Sequence, residues 1–192
     1  PKCAAADVQR ELPDTWGVRY GASTGGYSDI GNGLDLTMTT PGNGVLAMTV
    51  NGHMHHDNNH GDWIYLSFFI NGVDPSNGDG DWGKLHTYGH YADEHWADTY
   101  MTQFHEVTAG SQNIELRYKG SDGFRLNGAE VEAVFLPGAH VVKKTQAAWG
   151  GSNFHGGTQD GLSVQINAPK SGVIMQTING HIAANHASGG TY

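Results

Sequence analysis

Apolar and polar residues alternate along several stretches of the chain, which is the pattern of a β-strand with one face in a core. The clearest stretch is 113–119, where Ile114, Leu116 and Tyr118 alternate with polar side chains. Apolar residues also share one parity, or dominate a run, at 34–38, 44–54, 64–70, 97–107 and 131–135. The pattern predicts a β-strand in each of these stretches.

Glycine-rich segments separate these stretches and predict turns. They lie at 39–44, 71–83, 108–112 and 119–123. Many short strands joined by such turns, without intervening helices, are typical of an antiparallel β-sandwich or jelly roll, so the predicted fold class is all-β. Residues 2–12 (KCAAADVQREL) are the one stretch predicted to be helical, and Pro13 would end that helix.

The chain contains an internal repeat. Residues 33–54 (GLDLTMTTPGNGVLAMTVNGHM) align without a gap to residues 161–182 (GLSVQINAPKSGVIMQTINGHI), with nine identities in 22 positions at an offset of 128. A period this long indicates duplication of a whole domain, since solenoid repeats are much shorter. We therefore predict four regions: an N-terminal anchoring segment (1–13), a jelly-roll domain (14–138), a linker (139–148) and the start of a second jelly-roll repeat (149–192).

The second copy, from 149 to 192, holds a predicted strand pair at 161–167 and 172–182. A two-stranded hairpin by itself buries too little apolar area to be stable in water. Two completions are open: a longer parent chain supplies the remaining strands, which we favour, or a neighbouring subunit does.

The composition excludes several classes of protein. Glycine accounts for 29 of 192 residues and charged residues for only 15%, so a protein built of long helices is excluded. The net charge of −9, with no basic cluster, argues against nucleic-acid binding. No apolar run reaches the roughly 18 residues of a membrane span, so membrane insertion is not expected. A single cysteine, Cys3, and the absence of a signal-peptide pattern favour synthesis in the cytoplasm.

The order of strands and turns carries a resemblance to a known family. The segment 104–138 (FHEVTAGSQNIELRYKGSDGFRLNGAEVEAVFLPG) reads as a strand, a Thr-Ala-Gly-Ser turn, an alternating strand, a glycine turn and a final apolar strand. With the strands around 39–54 and 63–73, it resembles the C1q/TNF-like jelly-roll module of many bacteriophage virion proteins. The resemblance covers residues 34–136, and the long insertion at 71–97 departs from it.

That resemblance implies a compact homotrimer in which aromatic-rich faces pack around a threefold axis. Members of the family serve as fibre heads, spikes, capsid decoration proteins and receptor-binding knobs, and rarely as enzymes. It therefore implies a virion location and contacts with other virion proteins, for which we assign the N-terminal segment 1–13. The scarcity of charge together with frequent Trp, Tyr and Phe is also typical of interface cores.

The segment HMHHDNNHGD contains the first candidate site. On a strand, His53 and His55 would point to one face, and three chains around an axis would offer six imidazoles to a transition metal such as iron, nickel or zinc. The other interpretation, which we favour, is a solvated polar loop, because the repeat has His181-Ile182-Ala183 at the matching positions.

The segment DPSNGDGD contains the second candidate. Asp74, Asn77, Asp79 and Asp81 place oxygen ligands at short intervals in a glycine-rich turn, as a calcium loop does. The EF-hand template fails, because Trp82 takes the place of its required glycine and no glutamate closes the loop. An acidic turn without an ion is the favoured interpretation, so no cofactor is expected.

Aromatic residues contribute the third candidate. Trp82, Tyr88, Tyr91 and Trp96 fall within one short stretch together with several histidines. Such residues form subunit interfaces, stack on sugar rings or cover a core, and we favour an interface.

Signals for catalysis are weak. The chain has no nucleophile-elbow serine and no phosphate-binding glycine loop before a helix, so we expect no enzyme activity. The sequence therefore predicts a non-enzymatic, trimeric structural component of a bacteriophage virion (a fibre, spike or capsid decoration protein). The alternative is a carbohydrate-binding or adhesin module that recognises host-surface glycans.

Overall fold

A computed structural model describes residues 8–11, 19–31, 33–56, 63–74, 85–88, 97–121, 123–142, 165–167 and 172–177. These residues form ten β-strands, and no helix occurs among them. The strands are β1 (Val8–Glu11), β2 (Arg19–Tyr20), β3 (Ser23–Asp29), β4 (Leu36–Thr40), β5 (Gly44–His56), β6 (Trp63–Ile70), β7 (Leu85–Tyr88), β8 (Ala97–Val107), β9 (Gly110–Gly120) and β10 (Phe124–Pro137). Within these ranges there is accordingly no helix that could cross a membrane.

The strands form two five-stranded antiparallel sheets. In sheet 1 the order is β1-β10-β5-β8, and β2 pairs with the same strand, β10, as β1 does. In sheet 2 the order is β3-β9-β6-β7, and β4 also pairs with β9. All strand pairs are antiparallel, as the sequence predicts.

The pairing is nested in the way that defines a jelly roll. Working outward from the middle of the chain, β6 pairs with β7, β5 with β8, β3 and β4 with β9, and β1 and β2 with β10. The chain therefore has the strand arrangement of one long hairpin wrapped into two sheets. The pairing of β5 with β10 joins the strand pairs of sheet 1, and the pairing of β6 with β9 joins those of sheet 2. This topology confirms the predicted all-β jelly-roll fold class.

The core lies between the two sheets and is built from alternate residues of each strand. Leu66, Phe68, Leu116 and Phe124, for example, have no solvent exposure. The stretches in which the sequence predicts strands coincide with β4, β5, β6, β8, β9 and β10. The remaining strands are short or poor in apolar residues, so periodicity does not reveal them.

The N-terminal segment is not helical where it is described. Val8–Glu11 is strand β1, and its register pairs Val8 with Val134 and Glu11 with Val131. The helix prediction for 2–12 is therefore wrong for these four residues. Pairing with β10 gives their backbone groups hydrogen-bond partners on the sheet, and this outweighs a weak helical propensity. The sheet thus begins before residue 14, within the predicted anchoring segment.

The described parts of the second copy contain no strand. Residues 165–167 and 172–177 lie outside both sheets and are exposed, with Val173 at 92%. The predicted strands at 161–167 and 172–182 are not formed in these described parts. The assignment of 149–192 to a second jelly roll and of 139–148 to a linker stays a prediction.

Candidate functional site

The outer side of sheet 1 carries a patch of apolar side chains. Alternate residues of its central strands, such as Leu46 on β5 and Ala133 on β10, point into the core, so their neighbours in sequence point outward. The outward residues include Ala47, Phe104, Val134 and Leu136, which we call the apolar patch. Of these, Phe104, Val134 and Leu136 are half-buried, so part of each apolar surface faces solvent.

The strand register holds the patch together. Val134 on β10 and Phe104 on β8 are the Cα partners of Ala47 on either side of β5. Leu136 lies two residues further along β10, opposite Val45. Directly paired side chains on one face of a sheet have Cβ atoms about 4.5–5.5 Å apart, so these residues form a continuous surface.

Polar side chains border the patch on one side. Thr49, the partner of Glu132 and Thr102, lies in the next row of the sheet. The Oγ1 atoms of Thr49 and Thr102 lie 3.1 Å apart, and Thr102 Oγ1 donates to the Tyr100 hydroxyl at 3.0 Å. Tyr100 itself is 63% exposed. An apolar centre with a hydrogen-bonded polar border is the usual anatomy of a protein interface.

The chain leaves β10 in a direction that brings it back over this face. Gly138, with φ of +65°, reverses the backbone, and its N–H donates to the carbonyl of Asn43 at 3.1 Å. The N–H of Val141 then donates to Glu106 Oε1 on β8 at 3.2 Å, and His140 Nδ1 lies 3.5 Å from the same oxygen. Glu106 shares the outward parity of Phe104, so residues 138–142 cross the end of the outer face.

Residues 175–177 lie against the same face. Met175, Gln176 and Thr177 line a cavity of about 440 Å³ together with residues of sheet 1. The sheet residues in that lining are Ala47, Thr49, Tyr100, Thr102, Phe104, Glu132, Val134 and Leu136. The cavity therefore includes the whole apolar patch and its polar border.

The outer side of sheet 2 is different, because the aromatic ring of Phe69 on that side is covered by neighbouring side chains. The guanidinium of Arg117 lies 4.4 Å from the centre of the Phe69 ring, and the ring of Tyr27 lies 5.4 Å from that ring. Arg117 also donates to Glu115, through Nε at 2.8 Å. Phe69 is only 7% exposed as a result, so this ring offers little apolar surface to a partner.

A small group of carboxylates lies beside Arg117. Partial burial of the Asp35 carboxyl raises its pKa, and repulsion from Asp29 and Glu115 raises it further. The positive charge of Arg117 lowers the same pKa and only partly offsets these effects. In the described part of the chain no group of three or more His, Cys, Asp or Glu side chains is arranged to hold a metal ion.

The candidate histidines lie at the far end of β5 from the apolar patch. His53 and His55 share one parity, so both point to the same side of the sheet, as predicted. His53 is exposed and its Cα partners are Asn127 and Asp98, while His55 is half-buried opposite Arg125. Two imidazoles are thus brought together within one chain, and a metal at His53 and His55 stays a prediction.

The other predicted site residues fall largely outside the described residues. Asp74 is described, at the end of the turn after β6, but Asn77, Asp79 and Asp81 are not, so the calcium loop stays a prediction. Trp82, Tyr91 and Trp96 also lie outside the described residues. The backbone of Tyr88 ends β7 opposite Trp63, and its side chain is not described.

Sequence analysis did not single out the apolar patch. A signal for it exists in VEAVFLP of β10, where Val134 and Leu136 are apolar at the parity opposite to Ala133 and Phe135. A strand that is apolar at both parities has both faces buried or partnered. The outward parity of β5 and β8 mixes Ala47 and Phe104 with polar residues, which conceals the patch in a single sequence.

Comparison with known proteins gives weak likenesses only. No family model matches the chain, and no curated protein matches it. Among solved structures, the Eiger TNF of S. frugiperda is similar over 72% of this chain and 98% of its own, with 11% identity and a TM-score of 0.44. The VP2 subviral particle of infectious bursal disease virus is similar over 69% of this chain and 33% of its own, with 10% identity and a TM-score of 0.40.

A β-glucosidase of Paenibacillus barengoltzii is similar over 66% of this chain, with 14% identity and a TM-score of 0.36. The matched region spans only 10% of that enzyme's length. With all three TM-scores below 0.5, these likenesses carry no argument about function, and the fold class follows from the strand order. The chain contains a β-sandwich module of jelly-roll topology.

Proposed function

We propose that this protein is a non-enzymatic structural component of a bacteriophage virion, assembled as a homotrimer through the apolar patch of sheet 1. The assembly is inferred from the patch itself: Phe104, Val134 and Leu136 are half-buried neighbours on one face of sheet 1, and each leaves part of its apolar surface in contact with solvent. Apolar surface of this kind gains about 25 cal/mol per Å² when it is removed from water. A contiguous exposed patch on a sheet commonly marks an interaction site.

The border of the patch supports contact between copies of the chain. Thr49, Thr102 and Tyr100 are hydroxyl-bearing side chains that already hydrogen-bond to one another. They can therefore lie at the rim of an interface without leaving a polar group unsatisfied. Charged residues make up only 15% of the whole chain, so few charged side chains would have to lose their water in such an interface.

Sedimentation velocity at micromolar concentration tests the assembly. We expect the native chain to sediment as a trimer, and the Val134→Asp variant, which places a charge in the patch, as the 20.5 kDa monomer. Thr37→Asp, at an exposed position of β4 on sheet 2, is the matched control and should stay trimeric. A native chain that is monomeric, or a V134D variant that still forms trimers, contradicts the proposal.

The virion location is supported by the resemblance of the 34–136 segment to phage jelly-roll modules. The N-terminal segment 1–13 would then contact other virion proteins, although Val8–Glu11 also belongs to sheet 1. The protein would be made in the host cytoplasm and would need no cofactor. Quantitative mass spectrometry of purified particles should find the chain at a fixed copy number, and its absence would contradict this location.

A carbohydrate-binding or adhesin function is the alternative. It depends on Trp82, Tyr88, Tyr91 and Trp96, whose side chains lie outside the described residues. A glycan array with the purified native chain separates the two proposals. Two results together would favour the adhesin. One is saturable glycan binding that is lost in a Trp82→Ala, Trp96→Ala double variant. The other is a sedimenting mass that is the same for the native chain and the V134D variant.

A further inference from the structure

We propose that residues 172–177 are a resident cover for the apolar patch of the same chain, and that the cover must leave before copies of the chain associate. This inference rests on the proposed function, since it describes how the same surface is regulated. It assigns the patch a specific occupant within one chain, the segment Gly172–Thr177 (GVIMQT).

We assign this segment to the patch because both line the same cavity. Met175, Gln176 and Thr177 line one cavity with Ala47, Phe104, Val134 and Leu136 and with the polar border. The chemistry of the segment fits that surface, because methionine is flexible and packs on irregular apolar surfaces. The neighbouring Gln176 and Thr177 are polar, as the Thr49 and Thr102 side of the patch is.

The chain reaches the outer face of sheet 1 directly after β10. After β10, the bonds from Gly138 to Asn43 and from Val141 to Glu106 direct the backbone across the outer face of sheet 1. The segment 172–177 follows on the same chain. A tethered segment acts at an effective concentration of roughly millimolar, so it can compete with micromolar free protein for one surface.

The segment 172–177 buries little apolar surface against sheet 1, so it can dissociate from the patch. Met175 and Ile174 are each 58% exposed, so much of the segment's apolar surface still faces solvent. Val173 is 92% exposed and is not among the residues that line the cavity. A cover closed nine-tenths of the time would lower the apparent affinity of each subunit for its partners about tenfold.

A photo-cross-linking experiment on the full chain tests the occupant. The residue p-benzoylphenylalanine is introduced at position 175 and, as the matched control, at position 173. We expect position 175 to cross-link to β5, β8 or β10 within one chain, identified from mixed ¹⁴N and ¹⁵N protein, and position 173 to react much less. Cross-links between chains, cross-links elsewhere, or equal yields at the two positions overturn the proposal.

A second experiment measures the effect on assembly. Met175→Asp should expel the segment and lower the midpoint concentration of trimer formation about thirtyfold, because the midpoint of a monomer–trimer equilibrium varies with the 3/2 power of the binding-competent fraction. Val173→Asp adds the same charge to an exposed position and should leave the midpoint unchanged. An unchanged midpoint in M175D overturns the cover while V134D still tests the trimer. If the native chain and M175D are both monomeric, the assembly fails, and the cross-link alone then decides whether the segment occupies the patch.

Discussion

The side chain of Gln103 on β8 is hydrogen-bonded to the backbone of Phe68 on β6, with Phe68 N–H donating to Gln103 Oε1 at 3.0 Å. The bond joins the two sheets at their edge. In the described part of β7 the last pair with β6 is Leu66 with Leu85, and Phe68 lies two residues beyond that pair. Gln103 is only 6% exposed, and its side-chain oxygen is the hydrogen-bond partner of this backbone N–H.

Gln103→Leu should destabilise the fold because it keeps most of the side-chain volume but removes the acceptor. The buried N–H of Phe68 would then lack its partner, which costs about 1–3 kcal/mol. Chemical denaturation should show a corresponding decrease in the free energy of unfolding. Thr37→Val, at an exposed position of β4, is the control, and equal stability of Q103L and T37V would contradict the assigned role.

Alanine substitutions at three glycines of sheet 1 and its turns should differ in a fixed order. A Cβ at Gly44 would lie 2.4 Å from the carbonyl oxygen of Leu136, and one at Gly52 would lie 3.2 Å from the Cα of Ala129. Gly42 has nothing within 4 Å of the added atom. We expect Gly44→Ala to lower the free energy of unfolding the most, Gly52→Ala to lower it by about 1–3 kcal/mol, and Gly42→Ala to change it little.

The crowding at Gly52 has a structural cause. The register of β5 and β10 shifts between Asn127 and Glu130, so Gly128 and Ala129 together lie opposite Gly52 and β10 has one extra residue there. Gly128, with φ of +56°, allows that bulge and brings Ala129 against β5. Thermal unfolding of the three alanine variants checks the order, and a G52A variant as stable as G42A would show that Ala129 can move away.

Asp35→Asn should raise the melting temperature at pH 7. Partial burial and the charges of Asp29 and Glu115 raise the pKa of Asp35 in the folded state, so the folded protein favours the protonated form. The protonated Asp35 carboxyl therefore stabilises the folded state relative to the ionised form. This contribution is fully present below the pKa that Asp35 has in the unfolded chain, and it is lost as the pH rises through its folded-state pKa. An asparagine cannot ionise and avoids that loss.

The advantage of D35N over the native chain should therefore shrink as the pH falls to the ordinary carboxyl range. Melting curves from pH 3 to pH 8 would show the two proteins converging. Glu130→Gln removes the same charge from sheet 1 and controls for the change in net charge. A constant difference across the pH range, or a D35N variant less stable at pH 7, would contradict the role of Asp35.

Metal binding at His53 and His55 would appear as a metal-dependent melting temperature, because a ligand of the folded state stabilises it. One chain presents two imidazoles, and the cationic Arg125 is the strand partner of His55 and disfavours a second cation. We expect the native chain and a His53→Ala, His55→Ala variant to respond equally to EDTA and to added Zn²⁺. A shift confined to the native chain would establish the site.

Six strands of the sandwich, β4, β5, β6, β8, β9 and β10, are determined by the sequence alone. In β9, Ile114, Leu116 and Tyr118 must share one face, because successive side chains of a strand point in opposite directions. The turns are equally local, since glycine-rich segments such as 119–123 end strands by their backbone freedom. These features depend only on neighbouring residues, so a single sequence contains them.

The tertiary structure alone decided the features that depend on distant residues. Val8–Glu11 is a strand because the edge of β10 offers it backbone partners, which local propensity cannot reveal. Ala47, Phe104 and Val134 become one apolar surface only when β5, β8 and β10 are brought together in register. Local periodicity determines which residues are buried, whereas the order of strands in a sheet determines which exposed residues become neighbours.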